Sequence, residues 1–296
     1  MREQKERIEP LLCPRRRFSR AEILELLQER IRRREPILMA GAGIGIVAKM
    51  AEASQADLIT ATSEDRLRMM GQPSCMSYAA VGNANDLALD TLVRAARMAR
   101  HTPVLCGLAP GDPRREADQL LEEAKRLGAD GFIGLPASNG FGPLLDGDVR
   151  GSVLHSAADL EMLRLCRRQE IFSVAVCFDE TYAAVAARAG ADLIVAHAGY
   201  TAGGLCGPQS DQARTLEQTI VFTARVNRAA KQAREGVPVL CHGAALNTPQ
   251  AVQACLLRAG VQGFYGGSAL DRLPMEQAVM EVVGKLKQLK TGGREI

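Results

Sequence analysis

One pattern recurs four times along the chain and limits what it can fold into. The stretches QADLIT, RLGADGFIG, RAGADLIVA and RAGVQGFYG each run from the end of a helical sequence into a short apolar run. Three of them carry a glycine suited to a helix C-cap, and three open the apolar run with aspartate. Between them lie runs of a second class, EPILMA, TPVLC and VPVL, entered through proline, with EIFSVAVC as the exception. Proline fits there because its missing N–H costs no ladder bond at the first residue of a strand. The strands predicted are Ile37–Ala40, Asp57–Ala61, Pro103–Cys106, Asp130–Gly134, Ile171–Cys177, Asp192–Ala196, Pro238–Cys241 and Gln262–Tyr265. They are rich in Ile, Leu and Val and lack polar alternation, as expected of parallel strands covered on both faces. A two-unit period repeated four times predicts an α/β fold closed as a (β/α)8 TIM barrel. An open doubly wound sheet is the alternative.

Helices are expected between the strands, with starts at Asp112-Pro113, Asp179-Glu180, Ser210-Asp211 and Thr248-Pro249, where a capping side chain precedes proline or an acid. Residues 1–36 stand outside the repeat and 37–296 form the barrel domain. SRAEILELLQERIRRR, with a cap at Ser19, predicts an extra N-terminal helix that closes the bottom of the barrel or meets a partner subunit; Arg15–Arg17 reads as a solvated arm.

With 47% apolar residues in 296, the chain has material for one large core, and a formal charge of +3 leaves no footprint for nucleic acid. The eight cysteines form no CxxC pair and no zinc-like spacing, so they read as reduced thiols of a cytoplasmic protein. MREQKERIEP is charged where a signal peptide needs an apolar core, and no apolar run reaches the length of a membrane span.

Barrels of this kind carry their function on the loops after the C-terminal strand ends. There the sequence places Gly41 and Gly43, Gly243, and Gly266, Gly267 and Ser268, with Arg272 one turn on. Loops after the seventh and eighth strands form phosphate sites in many barrels, so these residues are candidates for anion binding, with a tight turn as the plainer reading. His197 and His242 end adjacent strands and are candidates for acid and base, or, with Asp179, for holding a metal; a bond to a nearby carbonyl is the other possibility. Cys106, Cys177 and Cys241 end the third, fifth and seventh strands, where they supply either a nucleophile activated by His242 or packing. Arg66 and Arg68 lie in a long loop from Thr62 to Gly82 and are further candidates for charge recognition. No lysine falls inside a predicted strand, which argues against Schiff-base chemistry.

The ordered motifs AGAGIGIVAKMAE, DRLRMMGQPS, GNAND, HTPVLCGLAPGDPRR, AHAGYTAGG, LCHGAA and GFYGGSALDRLP resemble the phosphoenolpyruvate hydrolase-like family, also described as TIM-barrel signal transduction proteins. The resemblance implies kinship with the phosphoenolpyruvate mutase and isocitrate lyase superfamily, and a hydrolase or lyase acting on a small phospho- or phosphono-oxoacid. It carries His197, Gly203, Gly204, His242, Gly243, Gly267, Ser268 and Arg272 over as signature positions, Gly203 and Gly204 on a substrate loop. Mutase-type relatives hold magnesium with acids after the third and fourth strands, whereas this chain has Cys106-Gly107 and Gly134-Leu135-Pro136 there and no Lys-Lys-x-Gly-His lid. Magnesium is thus an open possibility with no ligand set assigned. A non-catalytic anion-binding sensor is the second functional reading, and a homo-oligomer is expected in either case.

Overall fold

The computed structural model describes residues 15–79, 82–141 and 157–291; the first part of the expected N-terminal arm, 1–14, lies outside them. Eight parallel strands close into a barrel in sequence order, which excludes the open sheet. They are β1 (Ile37–Gly41), β2 (Leu58–Ala61), β3 (Val104–Gly107), β4 (Gly131–Ile133), β5 (Phe172–Cys177), β6 (Leu193–His197), β7 (Val239–His242) and β8 (Gly263–Gly266). The helices of the described residues are α1 (Arg20–Arg32), α2 (Gly45–Ala53), α3 (Ser63–Met69), α4 (Ala84–Met98), α5 (Ala117–Leu127), α6 (Ala157–Arg168), α7 (Glu180–Ala189), α8 (Leu216–Ala233), α9 (Pro249–Ala259) and α10 (Arg272–Lys287). No helix among the described residues is long and apolar enough to cross a membrane.

The fourfold repeat has a structural cause at the strand entries. Asp57, Asp130, Asp192 and Gln262 each donate their backbone N–H to a carbonyl of the preceding odd strand, at Leu38, Val104, Ser173 and Val239. The side chain of each then accepts the N–H of that same residue, at 2.9, 2.9, 3.1 and 3.0 Å. These two-bond clamps satisfy backbone donors at the bottom of the sheet. The three aspartates in turn draw guanidinium groups from the N-terminal segment. Arg30 Nε reaches Asp57 at 2.7 Å, Arg17 Nε reaches Asp130 at 3.0 Å beside an Arg15 pair, and Arg20 binds both oxygens of Asp192. The arginine cluster is therefore only partly the solvated arm expected. Arg16 is exposed, but the Arg15 side chain is 10% exposed and its Asp130 partner fully buried.

The same segment plugs the barrel. α1 starts in a complete capping box between Ser19 and Glu22, and its helical period turns Ile23 and Leu27 inward. Both join the interior core with Ile37, Met39, Leu58, Leu105, Phe172, Val174, Leu193 and Leu240. Residues one step along the strands face outward. Cys106, Cys177 and Cys241 are among them, packed between sheet and helices rather than inside the barrel, which is the packing alternative. Burial holds the Cys106 and Cys177 thiols protonated, and no nucleophile is available from them.

Two helix starts differ from expectation. α5 begins at Ala117 because the Asp112 carboxylate is bound by Asn83 and Asn85, and α8 begins at Leu216, behind a Thr215–Gln218 capping box rather than at Ser210-Asp211. Among the described residues the chain is exposed from Gln277 onward, with Val279, Met280, Val282, Val283, Leu286 and Leu289 open to solvent.

Candidate active site

At the top of the barrel the strand period places Thr60, His197, His242 and Tyr265 on the interior side, one pleat above Leu58, Val195, Leu240 and Gly263. They form a continuous row. The Phe178 ring stacks on His197 at 4.2 Å between centroids, His197 meets His242 at 4.6 Å, and His242 stacks on Tyr265 at 4.6 Å. Thr60 Oγ1 donates to Asp65 Oδ2 and receives the Tyr265 hydroxyl, both at 3.1 Å. Asp65, at the start of α3, pairs with Arg68, whose Nε reaches Asp271 at 2.8 Å.

The two imidazoles are in opposite tautomers, assigned from their partners. His242 Nδ1 lies 2.7 Å from the Tyr265 carbonyl, which only accepts, so the proton is on Nδ1 and Nε2 carries a lone pair. His197 Nδ1 accepts the Gly199 N–H at 3.2 Å, so its proton is on Nε2. Burial lowers the His242 pKa to about 4, against the Tyr265 carbonyl, which raises it. His197 is pushed well below the ordinary histidine value by burial and by its neighbour His242. Both are neutral at pH 7, giving one N–H donor and one basic nitrogen side by side, and no described residue hydrogen-bonds to either Nε2.

The anion cradle expected at the glycines is mostly filled by protein. A Cβ on Gly267 would meet the Arg68 guanidinium at 3.1 Å, and one on Gly266 would meet Leu270 at 2.3 Å. Gly41 and Gly43 are packed under Asp65, and Gly243, at φ +82°, sits against the Gly199 carbonyl. Arg68, rather than Arg66, is the buried arginine of α3, and it is compensated by two carboxylates. Arg272 is buried as well, bound to Glu276 and to the Gly203 carbonyl, and it packs over Gly204. It ties the β6 loop to α10 and, with Ser268, Tyr200, Thr201 and Cys75, lines a cavity of about 260 Å³. Asp179 caps α7 through the Tyr182 N–H at 2.7 Å; the residue that β5 brings to His197 is Phe178.

Glu64 was missed in the sequence. It is 5% exposed, receives the Ser77 hydroxyl at 3.3 Å, and burial raises its pKa to about 7. The Thr62-x-x-Asp65 capping box immediately after a strand was the available signal, since it fixes Glu64 in a first helical turn over the barrel mouth.

The phosphoenolpyruvate hydrolase-like family description matches residues 22–289. The chain belongs to that family. The tomato ToMV susceptible protein tm-1(GCR26), from Solanum lycopersicum, is 32% identical over 276 residues, covering 92% of this chain and 36% of that protein. The chain thus spans little more than a third of the length of that curated relative. Among solved structures, a phosphonopyruvate hydrolase in complex with oxalate and Mg++ superposes with a TM-score of 0.57 at 16% identity, over 90% of this chain and 87% of that one. Phosphoenolpyruvate phosphomutase from Streptomyces platensis subsp. rosaceus gives 0.59 at 16%, over 92% and 88%. These two show a shared barrel fold.

Among the described residues of this member of the phosphoenolpyruvate hydrolase-like family, no set of donors is assembled for magnesium. Hard divalent ions take several oxygen ligands. Asp65 and Asp271 are spent on Arg68, β3 and β4 end without acids, and no group of three His, Cys, Asp or Glu side chains among the described residues is placed to hold a metal.

Proposed function

We propose that the protein is a hydrolase or lyase acting on a small oxoacid of the phosphoenolpyruvate or phosphonopyruvate kind. The observation that carries this reading is the pair of touching neutral imidazoles with opposite Nε2 states. Hydrolysis and C–C or C–P lysis share one need: a proton leaves an oxygen while negative charge collects on another. His242 Nε2 takes the proton, from water or from a substrate hydroxyl. His197 Nε2–H donates to the oxygen that becomes negative, and Glu64, protonated below about pH 7, is a second acid at the mouth. Neutral imidazoles suit this work because a basic nitrogen with a low pKa is free of protons at pH 7. The substrate's acidic end is assigned to the cavity at Ser268 and Arg272, supported by the buried guanidinium in its wall.

The decisive experiment is a thermal-shift screen of phosphoenolpyruvate, phosphonopyruvate and related oxoacids, followed by product assays on those that stabilise. His242→Ala is expected to lose about 100-fold or more in turnover while still binding. Binding without turnover in the wild type would favour a sensor instead. That second reading is supported by the relative's length, in which the counterpart of this chain is one part of a larger protein.

A further inference from the structure

Asp159 and Asn139 play no part in the chemistry above, yet both are built into the wall beneath it. Asn139 sits in a short 3-10 turn (Ser138–Phe141) after β4. Its amide nitrogen donates to the Val176 carbonyl at 2.9 Å, and its oxygen accepts the Phe178 N–H at 3.0 Å. The β4–β5 backbone ladder is described only as far as Ile133 and Val174, so this side chain continues the pairing to the end of β5. Asp159, in the first turn of α6, accepts the Ser138 N–H at 2.9 Å and so holds the residue next to Asn139. Phe178, the residue fixed by this clamp, is the ring stacked on His197 at 4.2 Å.

Stability does not account for the aspartate. It is 3% exposed, its Oδ1 has no partner among the described residues, and it borders a void of about 10 Å³ whose lining includes Phe132, Leu163, Val174 and Tyr182. A buried polar atom left unpaired beside apolar side chains costs stability, and a leucine would fill the same space without that cost. What a leucine cannot supply is the acceptor for Ser138. We infer that Asp159 and Asn139 are positioning residues, which set the place of Phe178 and thereby the orientation of the His197 imidazole.

The inference rests on His197 being a working group of the site, but its test does not need turnover. The ring nitrogens of His197 and His242 are followed by 15N-edited NMR in Asp159→Leu, Asp159→Asn and Asn139→Ala. Asp159→Leu is expected to melt at or above the wild-type temperature while the His197 ring signals shift and, where an oxoacid is turned over, kcat falls about 10-fold with little change in KM. Asp159→Asn keeps an acceptor for Ser138 and should restore the wild-type signals. Should Asp159→Leu fail to fold, Asn139→Ala removes the clamp directly and must show the same shift. Unmoved His197 signals in a folded clamp variant overturn the inference. Moved signals in a protein that turns over no oxoacid would uphold the clamp and reject the proposed function.

Discussion

The two ends of this barrel treat charge in opposite ways. At the bottom, Asp57, Asp130 and Asp192 are nearly fully buried and each is met by a guanidinium from the segment that carries α1. The neutral Gln262 occupies the fourth equivalent place, where no charge needs compensating. At the top, Arg68 is balanced by Asp65 and Asp271, but His197, His242, Glu64 and Asp159 are buried with no ion pair to an opposite charge among the described residues. The comparison separates two uses of polar groups in one fold. Where the chain needs closure, charges are paired off; where chemistry is proposed, groups are kept neutral by burial and hold their proton state ready.

The strongest test breaks the lower end. Asp130→Ala removes the acceptor of Arg15, Arg17 and two backbone N–H groups, and leaves Arg15 nearly buried without its partner. A loss of about 3–5 kcal/mol is expected in urea unfolding. The His197 and His242 ring signals should stay where they are in the folded fraction. If they move, the two ends are coupled and the division of labour is wrong.

The upper end should reveal itself through pH. His242 is held at about 4, below the ordinary 6.5, so its neutral burial contributes fully above pH 6.5 and is lost as pH falls from there towards 4. Its size is about 3 kcal/mol as an upper bound. Glu64 and Asp159, both raised to about 7, run the other way: their contribution is present below the ordinary carboxylate range and is lost as pH rises through 7. His197, also held well below the ordinary value, adds to the His242 slope, so between pH 4 and 7 the two histidines oppose the two carboxylates and the net dependence should be shallower than that of either pair alone. His242→Gln is expected to unmask a decline with rising pH, and Glu64→Gln combined with Asp159→Asn a rise. Parallel curves for all three proteins would mean that these groups are not buried in the proton states described.

Much of the lower end was legible, because its rules are local. The glycine caps, the aspartate at three strand entries and the prolines at three others announced the barrel and its period. Even so, the partners of those aspartates were not recognised in Arg15, Arg17, Arg20 and Arg30, since nothing near them in sequence marks the pairing. At the upper end the two histidines were found from strand ends alone. Their opposite tautomers were not, because these depend on the Tyr265 carbonyl and the Gly199 amide, whose directions follow from loop geometry. The glycines were over-read as bare donors. Arg68 lies over Gly267 through a pair with Asp271, 203 positions away in sequence, and no spacing rule reaches that far.

The smallest expected effect still bears on the contrast. Ser19 accepts the Glu22 N–H at 3.3 Å while Glu22 reaches back to the Ser19 N–H at 2.8 Å, so the cap sets where α1 begins and hence where Arg20 and Ile23 fall. As an exposed cap, Ser19→Ala alone should cost about 1 kcal/mol. If α1 is a plug seated by its charges, Arg20→Ala should weaken the bottom in its own right, and the double variant should lose less than the sum of the two, because a frayed first turn has already misplaced the guanidinium that Asp192 needs. Strict additivity in a double-mutant cycle would show instead that cap and ion pairs act separately, and that the lower end is a set of independent contacts rather than one seated unit.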